Sequence, residues 1–153
     1  MEEVSKKEMM KLENQMCFPL YAAARKVTAL YTPWLKQLGI TYTQYITFLV
    51  LWEKDGLTVG EICDRLMLDN GTVSPLLKKM EGAGFIKRTR SSEDDRVVVI
   101  TLTNQGRDMQ KRAEDIPEKV GGCIELSPEK AIQLYKILYE ILGNERLTIK
   151  SQG

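Results

Sequence analysis

The chain carries three thiols, Cys17, Cys63 and Cys123, and no histidine among its 153 residues. Without imidazole there is no Ser-His-Asp or Cys-His nucleophile and no histidine metal ligand. The cysteines are too widely spaced for a metal-ligand cluster. No cofactor loop is present, so neither a metal nor a cofactor is expected. A thiol peroxidase that turns over would need a second catalytic cysteine motif nearby, and there is none. The chain is therefore expected not to be an enzyme.

Cys17 has a physical reason to react. Apolar residues recur at helical spacing from Leu12 through Met16, Leu20, Ala23, Val27 and Leu30. Pro19 interrupts that pattern and fits the first turn of a helix, so a regular helix is expected from near residues 16–18, whereas an earlier cap at Asn14 would imply a kink at Pro19. A helix starting near residues 16–18 puts Cys17 at its N-terminus, where the dipole and free N–H groups favour thiolate. Thiolate is the form that peroxides oxidise to sulfenic acid. The position also suits a small apolar residue on the stripe, and residue chemistry alone leaves both readings open. Cys63, in Glu61-Ile-Cys-Asp-Arg65, reads as structural. Cys123 follows Gly121-Gly122 at a break between helices and reads by itself as buried or idle.

A second concentration of chemistry lies in the middle of the chain. Lys78, Lys79, Lys87, Arg88 and Arg90 face one anion, Glu81, a net +4 within a chain of net +1. Such a local focus displaces counterions from phosphates. Just ahead of it, Asn70-Gly-Thr-Val-Ser74 is small and polar. Asn70, Thr72 and Ser74 would point outward from a helix start, where base edges and phosphates are reached. The turn Ser91-Ser-Glu-Asp-Asp-Arg96 is acidic apart from Arg96. It makes sense at DNA if Asp94 or Asp95 braces Arg96 for a narrow, electronegative minor groove; otherwise it is a solvated turn.

The elements that must position these residues can be read from caps and periodicity. The first ten residues are polar and loosely helical at most. A short helical turn follows Pro33 and ends at Gly39. Thr41 or Thr43 caps a buried helix from Gln44 to Trp52, and Asp55-Gly56 is a turn. Thr58-Val-Gly-Glu61 is a capping box opening a helix to about Leu66. Asp69 or Asn70 caps a helix to Glu81 that Gly82-Ala-Gly84 stops. Residues 85–90 and 96–103 read as a two-stranded hairpin. Thr103 caps a helix to about Gly121, interrupted near Pro117, and Ser127-Pro128 opens an amphipathic last helix.

This order is a mainly α fold with a small β-hairpin wing, a winged helix-turn-helix over residues 57–103. The flanking segments, 1–40 and 104–153, have apolar helical faces with no other partner in so small a domain. They are expected to pair with a second chain, all within one domain over 1–153. Composition is that of an ordinary globular protein, 43% hydrophobic and 28% charged. No apolar run reaches the roughly 18 residues of a membrane span. The charged N-terminus lacks the apolar core of an export signal, so a cytoplasmic protein with no membrane partner is expected.

The motifs Leu57-Thr-Val-Gly-Glu-Ile, Asn70-Gly-Thr-Val-Ser-Pro-Leu-Leu-Lys-Lys-Met-Glu81, Gly84-Phe-Ile-Lys-Arg88 and Asp94-Asp-Arg96 resemble those of the MarR family of dimeric winged-helix regulators, over nearly the whole chain. The resemblance implies double-stranded operator DNA as partner, with Arg96 in the minor groove. Residues 12–25, with Tyr31 and Ile40-Thr-Tyr-Thr-Gln-Tyr45, resemble the OhrR branch, which senses organic hydroperoxides. That resemblance implies that Cys17 is the peroxidatic thiol, that Tyr21, Tyr31 and Tyr42 line its pocket, and that either Cys123 of the other subunit resolves the sulfenic acid as a disulfide or, as in the one-cysteine members, a small cellular thiol does so. It implies a homodimeric repressor released on oxidation. A regulator released by a small aromatic ligand, with the cysteines incidental, is the alternative.

Overall fold

The computed structural model describes residues 5–143, in two compact bodies divided after Val120. Residues 1–4 of the loosely helical start and 144–153 of the expected C-terminal pairing segment lie outside the described residues.

The first body opens with α1 (Lys6–Met9) and a 3-10 turn, Leu12–Asn14. The long helix α2 (Cys17–Ala29) starts where Pro19 requires. Then come α3 (Thr32–Leu38), closed by left-handed Gly39, and α4 (Tyr42–Glu53), capped by Thr41 rather than Thr43. The Thr41 hydroxyl and the Gln44 side chain each satisfy the other residue's backbone N–H, a reciprocal box. Most of α4 is buried and it forms the centre of the body, but it is not covered all round: Leu49 and Glu53 remain exposed. Phe48 stacks on Trp52 at 5.0 Å and meets Phe85 edge-on at 5.2 Å.

The helix-turn-helix follows as α5 (Val59–Leu66) and α6 (Asn70–Gly82). Its wing is β2 (Ile86–Arg90) and β3 (Val98–Leu102), in register from Ile86 opposite Leu102 to Arg90 opposite Val98. The expected two-stranded hairpin is in fact a three-stranded sheet. Leu57 and Thr58 form a short strand, β1, against Ile100 and Val99, giving the order β1-β3-β2. An N-cap residue already sits in extended backbone, as Thr58 does at φ −72° and ψ 159°, so one buried neighbour suffices to pair it. Two residues are too few for alternation to signal a strand. β3 also starts later than residue 96, because the Val97 N–H donates to the Asp94 carbonyl and keeps the chain in a turn.

The wing is bolted to α7 (Asn104–Ala113). The Thr103 hydroxyl caps α7 through the Gly106 N–H at 3.1 Å and reaches the Gly84 carbonyl at 2.6 Å. Trp52 Nε1 donates to the Gly106 carbonyl at 3.0 Å. Asp55 Oδ1 accepts the Leu102 N–H at 2.9 Å, while Oδ2 pairs with Arg107 at 3.5 Å. A side chain on Gly106 would collide with the Phe85 carbonyl oxygen, so glycine is the residue that lets α7 lie this close. After a break at residues 114–115, α8 (Ile116–Gly121) continues with Ile116 and Val120 buried.

The second body holds α9 (Pro128–Leu142), capped by the Ser127 hydroxyl with Pro at its start. It buries none of its own residues and exposes Ile132, Ile137, Ile141 and Leu142. In the first body α2 likewise buries no residue and exposes Phe18, Leu20, Tyr21 and Val27.

Candidate DNA interface and thiol sites

The recognition-type helix α6 is aimed by its two ends. Met67 adopts a left-handed conformation at φ 54°, which turns the chain sharply after α5. Asp69 then caps α6 by accepting the Thr72 N–H at 2.7 Å. Val73, Leu77 and Met80 are fully buried. That fixes the opposite face, so Asn70, Thr72, Lys78 and Lys79 are exposed together. The Ser74 hydroxyl lies 2.7 Å from Asn70 Oδ1 and holds that amide at the helix start.

The wing tip resolves which acid braces Arg96. Asp94 Oδ1 accepts from the Arg96 backbone N–H at 3.0 Å and from Nε at 3.2 Å, and Oδ2 accepts from Nη2 at 3.3 Å. Arg96 remains 88% exposed, so the brace orients its side chain without burying it. These bonds hold the Asp94 carboxyl below the usual carboxylate range, the side-chain bond contributing most. Asp95 serves differently: its carbonyl accepts from Arg90 Nη1 at 3.1 Å, tying the tip to β2.

Glu81, which composition counts only as the lone anion of a basic stretch, is bound to Arg88. Its Oε2 accepts the Arg88 N–H at 2.9 Å and its Oε1 accepts Nε at 3.0 Å. The backbone bond is the main cause of a lowered Glu81 pKa. Arg88 is therefore charge-matched inside the protein, unlike exposed Lys87 and Arg90. The sequence signal is a carboxylate seven residues ahead of the arginine across a glycine turn. Arg88 and Arg96 border a cleft of about 590 Å³ that Asn70, Ser74, Cys63 and Val98 also line.

Of the residues expected to line a thiol site, the structure brings Tyr31 and Tyr42 together, rings edge-on at 5.1 Å. Tyr45, which sequence reasoning did not place in the site, completes the group at 5.6 Å from Tyr31 and 6.5 Å from Tyr42. Burial raises the Tyr42 and Tyr45 pKa values, and the neighbouring tyrosines add to it. Both are therefore neutral O–H donors at neutral pH. Tyr21 sits on α2 beneath the Arg25 guanidinium, 5.5 Å above the ring centroid. Cys17 is exposed at the first residue of α2, whose N-terminus has no side-chain cap. Cys63 is half-buried, and burial, then Asp64 and Asp69, raise its pKa, so it is held as a thiol. Cys123 is exposed, in the second body between Val120 and Ser127. Among the described residues no acid, cysteine or histidine cluster could hold a metal, and no helix is long and apolar enough to cross a membrane.

Comparison with known proteins places this arrangement. Residues 29–113 match the family model "Transcriptional regulator SarA/Rot". The chain is 47% identical over 138 residues to the organic hydroperoxide resistance transcriptional regulator of Bacillus subtilis strain 168, covering 90% of this chain and 94% of that protein. Among solved structures it is similar to AbfR of Staphylococcus epidermidis. Reduced AbfR bound to DNA superposes with TM-score 0.73 at 37% identity, over 91% of this chain and 97% of that one. Disulfide-formed AbfR superposes with TM-score 0.62 at the same identity, over 90% and 96%.

Proposed function

The chain belongs to the SarA/Rot and MarR-type winged-helix transcriptional regulators, and from that premise we propose a cytoplasmic, homodimeric repressor that holds operator DNA when reduced and releases it when organic hydroperoxide oxidises Cys17. The observation that carries the reading is the position of Cys17. It is an exposed thiol at the uncapped start of a 13-residue helix whose apolar face is unpartnered within its body. An exposed thiol is open to attack by a peroxide, which oxidises it to sulfenic acid.

The chemistry balances without a cofactor. The Cys17 thiolate attacks the distal peroxide oxygen, the O–O bond breaks, and the alkoxide leaves and is protonated to the alcohol. The sulfenic acid formed on Cys17 condenses with the Cys123 thiol of the second copy and releases water. Tyr31 and Tyr42, both partly buried, are suited to donate to the sulfur and to shape an apolar entrance for an organic peroxide. Support for dimerisation comes from α2 and α9, neither of which buries a residue within its own body. An apolar face of that kind is covered by a partner in a stable protein. On DNA, the two copies of α6 would occupy successive major grooves about one helical turn apart. The Asp94-braced Arg96 would enter the flanking minor groove. That the relative AbfR exists both reduced on DNA and in a disulfide form supports the same two states here.

The test is a gel shift with cumene hydroperoxide on wild type, Cys17→Ser and Cys123→Ser. Release of wild type, with Cys17→Ser retained, is expected. Release of Cys17→Ser by the peroxide means that Cys17 is not the sensor. Non-reducing electrophoresis should show a covalent dimer in wild type that Cys123→Ser lacks.

A further inference from the structure

The Glu81–Arg88 pair has a role that the regulator's redox cycle does not assign. Glu81 lies in the last turn of α6, where the helix dipole disfavours an anion. The strand it touches, β2, is an edge of the sheet. The carboxylate occupies that open edge, taking the Arg88 N–H at 2.9 Å, and takes the guanidinium side-on through Nε at 3.0 Å. A side-on grip leaves the two terminal nitrogens, four of the five guanidinium donors, for another partner. The Arg88 side chain borders the cleft between the start of α6 and the wing, with Asn70, Ser74 and Arg96. A group that seats there must accept several hydrogen bonds and carry negative charge, as a nucleic-acid phosphate does.

We infer that Glu81 is a positioning residue for DNA: it locks Arg88 so that the terminal guanidinium nitrogens meet one backbone phosphate between recognition helix and wing. The inference rests on the DNA-binding function proposed for this chain. Glu81 itself repels phosphate, so its contribution is geometric. Removing its charge should leave non-specific attraction intact while fit to a specific site is lost. It also explains why the one acid in this basic stretch sits beside an arginine rather than a lysine. Only a fork can be held by one nitrogen and work with the others.

The experiment titrates wild type, Glu81→Gln, Arg88→Gln, Arg88→Lys and the double variant Glu81→Gln/Arg88→Gln by fluorescence anisotropy over a salt series. The probes are a duplex selected by the wild type from a randomised pool and a scrambled duplex. Arg88→Gln should flatten the slope of log affinity against log salt by about 0.9 for each phosphate that is no longer neutralised. Arg88→Lys and Glu81→Gln should each keep the slope but lose about tenfold on the selected duplex only. The double variant should bind no more weakly than Arg88→Gln alone. An unchanged slope in Arg88→Gln, or additive losses in the double variant, overturns the inference. So does a Glu81→Gln loss equal on both duplexes and matched by a fall in the circular-dichroism melting midpoint, the mark of a purely structural clip. Wild-type protein that binds neither duplex instead sinks the DNA-binding function, and the inference with it.

Discussion

Asp94 and Arg96 form a closed grip at the wing tip, with the backbone N–H at 3.0 Å, Nε at 3.2 Å and Nη2 at 3.3 Å all donating to one carboxylate. An exposed arginine otherwise spreads over many rotamers, and ordering it costs on the order of 1–2 kcal/mol. Here that cost is met before DNA arrives. Asp94→Ala should leave the melting midpoint nearly unchanged, as for most exposed sites. It should weaken operator binding about tenfold. Anisotropy titration beside a thermal melt separates the two effects, and equal affinity in the variant would show that the grip is idle.

Gly106→Ala should be the costly small change. The added methyl has no room against the Phe85 carbonyl oxygen and Leu102. Overpacking of this kind costs about 1–3 kcal/mol. Urea denaturation should show a lower midpoint with an unchanged slope. A variant as stable as wild type would mean that α7 can shift away from the wing.

Met67 offers the opposite sign. Its left-handed backbone costs a non-glycine residue roughly 1–2 kcal/mol. Its side chain is 46% exposed, so little packing is lost on removal. Met67→Gly should therefore raise stability by up to about 1 kcal/mol. Met67→Ala keeps the strain and should not raise it. Parallel thermal melts decide the matter, and a gain in the alanine variant would point to the side chain instead.

Acid should loosen the wing. Glu81 and Asp94 both have pKa values lowered in the folded protein, by hydrogen bonds from Arg88 and Arg96. Their contribution is complete above the ordinary carboxylate values of roughly 4. It is lost as the pH falls through the lowered folded values. Protection against hydrogen exchange, taken relative to the intrinsic rate at each pH, should fall in acid more at the Arg88 and Arg96 amides than at Met80, which lies in the core. A uniform fall in protection would assign the acid effect to global unfolding.

Helix starts are legible in the sequence wherever a cap marks them, whereas Pro75 lies inside α6 and marks no boundary. Thr41, Thr58, Asp69, Thr103 and Ser127 all cap as their side chains require, and Pro19 marks the start of α2 correctly. β1 is not legible, because two residues carry no period and their pairing with Ile100 and Val99 is decided far later in the chain. The site is half-legible for a related reason. The +4 stretch and the Asp94–Arg96 brace are local in sequence. The Glu81 grip on Arg88, the Asp55 bond to the Leu102 N–H and the completion of the tyrosine group by Tyr45 depend on how turns bring elements together. Composition cannot tell a charge that faces solvent from one that holds its neighbour.

The closed edges of the small sheet bear on how the newly made chain can fail. β1 is two residues long, and the outward edge of β2 at Arg88 is occupied by a carboxylate. A passing strand therefore finds the central donor of that edge already taken. The unprotected surface is helical instead, on α2 and α9. Newly made chains should therefore clump reversibly through these helices rather than seed fibrils. Overproduced protein should be recoverable from its aggregates by dilution.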